Sequence, residues 1–294
     1  MAAQPRIGLV LGGGGIVGVW WEIGVLASLN AHAGWDPATA TVIAGTSAGS
    51  MAGALTALGN DLDKLIEERT ADPRPSASAS LGSGEITTML DQELMGLYLP
   101  MTGSLEERGR RAGQLALERG GLIDEKAYRE LMAAGLGTDA WPDADLRMTT
   151  VECESGETVI LDRRSGFDLV TAVSSSYAVP TIFPPVSHMG RHYTDGPRGP
   201  FIADLVDELR LEAIVFAGPR LIPPGFAEGA DEHTELDALE AGGLPVARIT
   251  GGSALFDMIT RLMDPSLVAR AAEVGRADGE AAAGDVRRAI DAAG

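Results

Sequence analysis

The sequence predicts an α/β fold, and three observations support this. Residues 7–11 and 41–44 are short apolar runs, and each leads through a glycine-rich turn into a helical pattern, as in a β-α-β unit. From residue 146 onward, segments of alternating polarity add further strands. With 294 residues and 45% hydrophobic content, the chain is long enough to bury the core of one large α/β domain.

The first half of the chain is predicted to alternate between strands, turns and helices. Residues 7–59 follow the pattern β-loop-α-β-turn-α. The predicted elements after it are an amphipathic helix at 61–69, a loop at 71–84, and helices at 85–99 and 104–135. We place a break in the last helix at Gly120 and Gly121. The inserted helices at 85–135 either cap a site or pack as ordinary helices.

The second half of the chain mixes short strands with helices. The predicted strands lie at 146–152, 158–161, 212–217 and 245–250, and residues 182–189 form an extended, proline-marked segment. The predicted helices lie at 169–179, 203–209 and 253–293, the last with a break near Gly279. Because no repeat or linker divides the chain, we predict one domain over 1–294. It has a motif-bearing core at 7–217 and a helical tail at 253–293.

Composition narrows the possible partners. The net charge is −19, from 23 Lys and Arg against 42 Asp and Glu, so nucleic acid is not an expected partner. The same charge argues against electrostatic adhesion to anionic membranes, although apolar contacts can still dock a protein on lipid. The single cysteine, Cys153, fits a reducing compartment, and no signal or membrane-spanning run stands out. We therefore expect a cytoplasmic protein that can act peripherally at a membrane.

A candidate nucleophile lies at the second glycine turn. Residues 45–49 match the pattern G-x-S-x-G, in which a serine sits on a sharp turn between a strand and a helix. Gly45 and Gly49 let strand and helix approach each other, and the helix N-terminus favours the alkoxide of Ser47. The alternative is a structural role, with Thr46 or Ser47 capping an ordinary helix.

The first glycine turn offers an anion-binding site. Residues 13–18 satisfy G-x-G-x-x-G between a strand and a helix, which admits a dinucleotide-binding interpretation and hence an oxidoreductase. That interpretation needs an acidic residue at the end of the second strand, and Asp36 falls in a turn instead. As an oxyanion hole, the loop would serve Ser47, because adjacent parallel strands end at the same edge of a sheet.

No histidine stands in a persuasive position for a general base. His233 is the only one well downstream of Ser47, and it lies in the polar run 231–235, which we predict to be a solvated loop. If Ser47 is activated, a carboxylate is the remaining candidate base. The histidines and the one cysteine show no metal-ligand spacing, so no metal site is predicted.

Three motifs together resemble the patatin-like phospholipase family. They are the glycine loop at 13–18, the G-x-S-x-G at 45–49, and the Asp-Gly turn at 195–196, in the order found in that family. The segments at 21–26 and 178–185 resemble those that flank the motifs in many members. The similarity covers about residues 7–217.

The resemblance implies a three-layer α/β/α fold with a mostly parallel sheet and a Ser-Asp dyad without histidine. It makes Ser47 the nucleophile and Asp195 the general base of a lipid acyl hydrolase that needs no cofactor. The amides that bind the oxyanion would come from the glycine loop, and other glycines would support the motifs. These residues are Gly13, Gly14 and Gly15 for the oxyanion, and Gly18, Gly45, Gly49 and Gly196 for support.

Two positions depart from the family pattern. Val17 stands where many members have Arg or Lys, and Pro197 replaces the usual Gly or Ala after Asp195-Gly196. Proline lacks an amide hydrogen and fixes φ near −65°, so it alters the turn that carries Asp195. The alternative to an active hydrolase is thus a catalytically weak or inactive member that binds lipid or protein.

Overall fold

The computed structural model describes residues 4–71, 104–196, 201–220, 232–258 and 261–294. The strands are β1 Ile7–Leu11, β2 Val42–Thr46, β3 Leu146–Glu152, β4 Thr158–Leu161, β5 Val186–His188, β6 Arg191–Thr194, β7 Ala213–Ala217 and β8 Val246–Ile249. The helices of the first half are α1 Gly15–His32, α2 Ala48–Ala57, α3 Leu62–Ala71, α4 Leu105–Arg119 and α5 Glu125–Leu136. Those of the second half are α6 Leu169–Tyr177, α7 Ile202–Leu209, α8 Glu232–Ala241, α9 Ser253–Phe256 and α10 Val268–Ala293.

The strands form one mixed sheet in the order β5-β6-β3-β2-β1-β7-β8, with β4 paired to β3. The five strands β3, β2, β1, β7 and β8 run parallel, and β4, β5 and β6 add antiparallel pairs beside β3. Because β1 is central, its carboxyl end lies beside those of β2 and β7. Ligands of open parallel sheets bind outside these strand ends.

Alternate side chains of the parallel strands pack into two separate cores, which makes the fold three-layered. Leu9, Ile43 and Val215 face the larger core, which α1, α2 and α10 cover. Val10 and Phe216 face the smaller core, which α7 and α8 cover. This period of two is what a strand buried on both faces requires. The α/β fold class predicted from the sequence is confirmed.

The helical tail is present, but the predicted break near Gly279 is wrong. Helix α10 continues through Gly279. A Cβ at this position would lie 2.7 Å from the carbonyl oxygen of Val25 in α1, so the glycine is needed for close packing of the two helices. The glycine lets α10 pack closely on α1 and does not end the helix. The contact is reinforced by Trp21, whose Nε1 donates to Asp278 Oδ2 at 2.8 Å.

The inserted helices divide where the sequence predicted. Helix α4 ends at Arg119 and α5 begins at Glu125, while residues 85–99 lie outside the described part. Gly113 of α4 lies against the turn after β3, where its Cβ would be 2.6 Å from the Cα of Cys153. Helix α5 packs against α6. The described part of the insertion therefore packs along the β3–β6 end of the sheet.

Candidate active site

Ser47 occupies a strained turn between β2 and α2. Its φ of 54° and ψ of −115° lie in a region that residues with a Cβ rarely adopt. The Ser47 side chain makes no capping hydrogen bond to α2, and the Thr46 hydroxyl pairs with Thr149 Oγ1 at 2.8 Å. Ser47 occupies the N-cap position of α2, but neither hydroxyl makes the capping hydrogen bond that the structural alternative requires, and the turn has the geometry of a nucleophile elbow.

Glycines on either side of Ser47 allow the close approach that this turn needs. A Cβ on Gly45 would lie 2.7 Å from the amide nitrogen of Ser50, and one on Gly49 would lie 2.7 Å from the carbonyl oxygen of Gly12. The amide of Gly49 donates to that same oxygen of Gly12 at 2.8 Å. The elbow and the glycine loop are thus in direct contact.

The glycine loop presents backbone amides at the N-terminus of α1. The Val17 amide donates to Leu262 O at 3.0 Å, and the Gly18 amide donates to Gly14 O at 2.8 Å. Within the described residues, the amides of Gly14 and Gly15 have no acceptor. Gly13 precedes these two in the loop. Amides at the start of a helix, together with its dipole, favour a negative charge.

Strand register brings the chain around Asp195 to the end of β2. Thr46 of β2 pairs with Thr149 of β3, whereas Thr194 of β6 pairs with Val151 of β3. Strand β4 pairs with β3 from residue 148 to 151, so it occupies the opposite side of β3 from both β2 and β6. Strands β2 and β6 therefore run toward each other along one side of β3, separated by two positions of β3.

Ser47 and Asp195 are the first residues beyond these two facing ends. Two positions along a strand correspond to roughly 6.6 Å, so the two residues follow strand ends that nearly meet. Both are buried, Ser47 with 6% of its surface exposed and Asp195 with 1%. Asp195 Oδ1 accepts a hydrogen bond of 2.9 Å from the amide of Gly196. Pro197 lies outside the described residues.

The C-terminal turn of α6 contacts both strand ends. Ser176 Oγ accepts from the amide of Ser47 at 3.0 Å, and Ala178 O accepts from the amide of Asp195 at 2.9 Å. No motif in the sequence singles out Ser176. The available signal was a run of three serines at 174–176, just before the proline-marked segment.

The charge of Asp195 acts on two buried tyrosines. Burial and the negative charges of Asp195 and Glu22 raise the pKa of Tyr177. Burial, together with Tyr177 and Asp195, raises the pKa of Tyr128, whose hydroxyl donates to Ser174 O at 2.9 Å. Both phenols therefore stay protonated and uncharged at neutral pH, and their hydroxyls can donate hydrogen bonds.

The residues of the competing hypotheses lie elsewhere. Asp36 caps the 3-10 turn that precedes β2, so it lies at the amino-terminal ends of the parallel strands, which we call the amino edge of the sheet. The glycine loop lies at the opposite, carboxyl-terminal ends of the strands, the carboxyl edge. The dinucleotide interpretation therefore lacks its acidic residue. His192 pairs with Glu154 at 2.7 Å on the surface. The solvated loop predicted around His233 is wrong. That residue lies in α8, 8% exposed, with its ring 5.3 Å from that of Phe216.

Other features of the described residues bear on ligands and surroundings. Val17 is fully buried in the larger core, so it brings no charge to the glycine loop. No group of three or more His, Cys, Asp or Glu residues in the described ranges is arranged to hold a metal ion. None of the helices described here has the length and apolarity needed to cross a membrane.

Comparisons with known proteins agree with the motifs. The family model described as patatin-like phospholipase matches residues 9–197, a range that includes the glycine loop, the elbow and Asp195. No curated protein matches the chain.

Among solved structures, the chain is similar to VipD from Legionella pneumophila, with 16% identity and a TM-score of 0.42 over 81% of this chain and 54% of that chain. It is also similar to the type III effector protein ExoU, with 18% identity and a TM-score of 0.40 over 98% and 54% of the two chains. The ExoU–SpcU complex from Pseudomonas aeruginosa gives 16% identity and a TM-score of 0.31, over 94% and 53%. The chain spans about half the length of these structures.

Proposed function

Because the chain belongs to the patatin-like phospholipase family, we propose that it is a serine acyl hydrolase that cleaves carboxylic esters of lipids. The observation that carries this proposal is the head-to-head arrangement of β2 and β6. It puts a strained, buried serine beyond one strand end and a buried carboxylate beyond the other. This pairing is suited to acyl transfer.

In the proposed first half-reaction, Ser47 Oγ attacks the ester carbonyl carbon while Asp195 accepts the hydroxyl proton. The C–O bond to the alcohol breaks, and the alcohol leaves with the proton from Asp195. In the second half-reaction, Asp195 takes a proton from water, and the resulting hydroxide attacks the acyl-enzyme. The fatty acid departs, and Ser47 recovers its proton.

The negative oxygen of each tetrahedral intermediate needs hydrogen-bond donors. We assign these to the amides of Gly13, Gly14 and Gly15 at the start of α1. Support comes from the contact between Gly49 and Gly12, which joins loop and elbow, and from the lack of described acceptors for the amides of Gly14 and Gly15. One oxyanion donor is typically worth about 10²–10³-fold in rate.

The partners in this proposal are a lipid or related ester, reached in the cytoplasm or at a membrane surface. The net charge of −19 disfavours nucleic acid and electrostatic adhesion to anionic membranes, so docking on lipid would depend on apolar contacts. No cofactor takes part in the proposed reaction, because serine, aspartate and backbone amides supply all of its groups.

The experiment that tests this function is release of fatty acid from phospholipid vesicles and of chromophore from a soluble short-chain ester. We expect turnover of at least one substrate by the wild-type protein and a loss of at least about 1,000-fold in Ser47→Ala. Wild-type folding but no turnover on either substrate would favour a non-catalytic lipid-binding member. A rise in thermal stability with a nicotinamide or flavin cofactor would instead favour the dinucleotide interpretation.

A further inference from the structure

The last turn of α6 carries a side chain that the proposed mechanism does not use. Ser176 is fully buried, and its Oγ accepts a hydrogen bond of 3.0 Å from the amide of Ser47. From this contact we infer that Ser176 is a positioning residue that fixes the backbone of the nucleophile. The inference rests on the proposed function, in which Ser47 attacks the ester.

The Ser47 amide needs a partner that the sheet does not supply. The last residue of β2 in register with a neighbouring strand is Thr46, opposite Thr149, and two residues further along β3 the neighbour on that side is already β6. A buried amide without an acceptor is strongly unfavourable. The Ser176 hydroxyl fills this gap between the two strand ends.

The conformation of Ser47 is held from both sides. Its amide donates to Ser176, and its carbonyl oxygen accepts from the amide and the hydroxyl of Ser50 at 3.0 and 2.6 Å. A positive φ in a residue with a Cβ persists only where the surroundings fix it. Loss of the Ser176 acceptor releases one of these two restraints and lets the direction of Ser47 Oγ change.

The same turn of α6 also holds the carboxylate side of the site. Ala178 O accepts from the amide of Asp195 at 2.9 Å and from Thr194 Oγ1 at 2.7 Å. The C-terminal end of α6 thus accepts a hydrogen bond from the backbone amide of each proposed catalytic residue. Ser176 is the one side chain of this turn that reaches the nucleophile among the hydrogen bonds of the described residues.

Substitution of Ser176 by alanine tests the inference on a soluble ester. We expect Ser176→Ala to lower kcat by about 10- to 100-fold and to leave KM within about 2-fold, because misplacement of a reacting group acts on the chemical step. The matched control is Ser175→Ala. Ser175 is equally buried, but its hydroxyl donates to Thr171 O within the same helix, so its kcat should stay near that of wild type.

Hydrogen exchange of the Ser47 amide provides a readout that does not depend on turnover. Exchange in Ser176→Ala should be at least about 10-fold faster than in wild type, while Ser175→Ala should match wild type. If Ser176→Ala does not fold, Ser176→Cys takes its place, because a thiol is a weaker acceptor of similar size, and it should show smaller shifts in the same direction.

Wild-type kcat and wild-type exchange in the folded Ser176 variant would overturn the inference, as would equal losses in Ser175→Ala. Failure of the proposed function looks different: Ser47→Ala would retain full ester turnover. In that case the exchange measurement still decides whether Ser176 holds the Ser47 backbone.

Discussion

The amino edge and the carboxyl edge of the sheet, where the parallel strands begin and end, are stabilised in different ways. At the amino edge, charged side chains join neighbouring segments. Arg147 at the start of β3 donates to Asp145 at 3.0 Å and to Glu208 at 2.8 and 2.9 Å. At the carboxyl edge, neutral groups do this work, as the Ser47 amide and Ser176 hydroxyl illustrate, and glycines bring the backbones together.

The difference separates stability from function. Ion pairs at the amino edge can vary without moving the site, because the strands lie between them and Ser47. The carboxyl edge contains a strained serine whose backbone depends on contacts with α6 and the glycine loop. Strain of this kind is found where a reactive group must be held in one orientation. Variants at the two edges should therefore change different quantities.

The largest expected effect is at the carboxylate of the carboxyl edge. We expect Asp195→Asn to lower kcat on a soluble ester by about 10²–10⁴-fold, because the amide cannot accept the proton from Ser47. The midpoint of thermal unfolding should change little, since the asparagine oxygen can still accept from the Gly196 amide. Asp168→Asn is the control, with kcat near wild type. Equal activity of wild type and Asp195→Asn would remove Asp195 from the mechanism.

The second-largest effect is expected from a substitution that disturbs the contact between the elbow and the glycine loop. Gly49→Ala should lower the free energy of unfolding by about 3 kcal/mol, because the added Cβ would lie 2.7 Å from Gly12 O. Ester turnover should fall as well. Gly135→Ala in α5 is the matched control, with only Met51 Cε within reach at 3.8 Å, and it should stabilise by about 0.5–1 kcal/mol. Urea unfolding of both variants checks this, and similar shifts in the two would contradict the packing argument.

At the amino edge, loss of Arg147 should change stability but not catalysis. Its side chain is 7% exposed, whereas those of Asp145 and Glu208 are 36% and 54% exposed and can be hydrated when left alone. We expect Arg147→Met to lower the free energy of unfolding by about 2 kcal/mol with kcat unchanged. Arg110→Met, which removes an exposed pair with Glu106, should cost less than about 0.5 kcal/mol. A large loss of kcat in Arg147→Met would show that the edges are coupled.

The smallest expected effect is the pH dependence of the cap on α6. Burial raises the pKa of Asp168, but hydrogen bonds from Thr171 outweigh it, so the pKa is lowered overall. A carboxylate with a lowered pKa in the folded state stabilises the protein above its unfolded pKa of about 3.9, and this contribution is lost as the pH falls through the folded pKa. Urea unfolding between pH 5 and pH 3 should therefore weaken less in Asp168→Asn than in wild type. An equal dependence on pH would contradict this assignment.

Local patterns were sufficient to predict much of the fold. The alternation of residue types at 146–152 and 158–161 predicts the bounds of β3 and β4, although β3 is buried along nearly its whole length and β4 is the more exposed of the two strands. The glycine turns likewise predicted the junctions at β1 and β2. Long-range packing decided the rest. Gly279 lies inside a helix, where its missing side chain lets α1 pack closely, and residues 232–235 of the polar run lie in a helix whose His233 packs on Phe216.

The residues of the candidate site also fall into those that local motifs predict and those that depend on long-range packing. Ser47 and the glycine loop follow from motifs in one β-α-β unit, where the chain itself sets their proximity. The position of the Asp195 chain depends on the register of three strands far apart in sequence, and β6 was not predicted as a strand. Ser176 depends on the docking of α6, which no local pattern encodes. The dyad itself stays a prediction until it is tested.

The most direct test of the dyad is the site and rate of reaction with a fluorophosphonate, which labels activated serines. After digestion, mass spectrometry should locate one adduct on Ser47 in the wild-type protein. The Asp195→Asn protein should acquire it at least about 100-fold more slowly, because the hydroxyl has lost its base. An adduct on another residue, or labelling of Asp195→Asn at the wild-type rate, would contradict the proposed dyad.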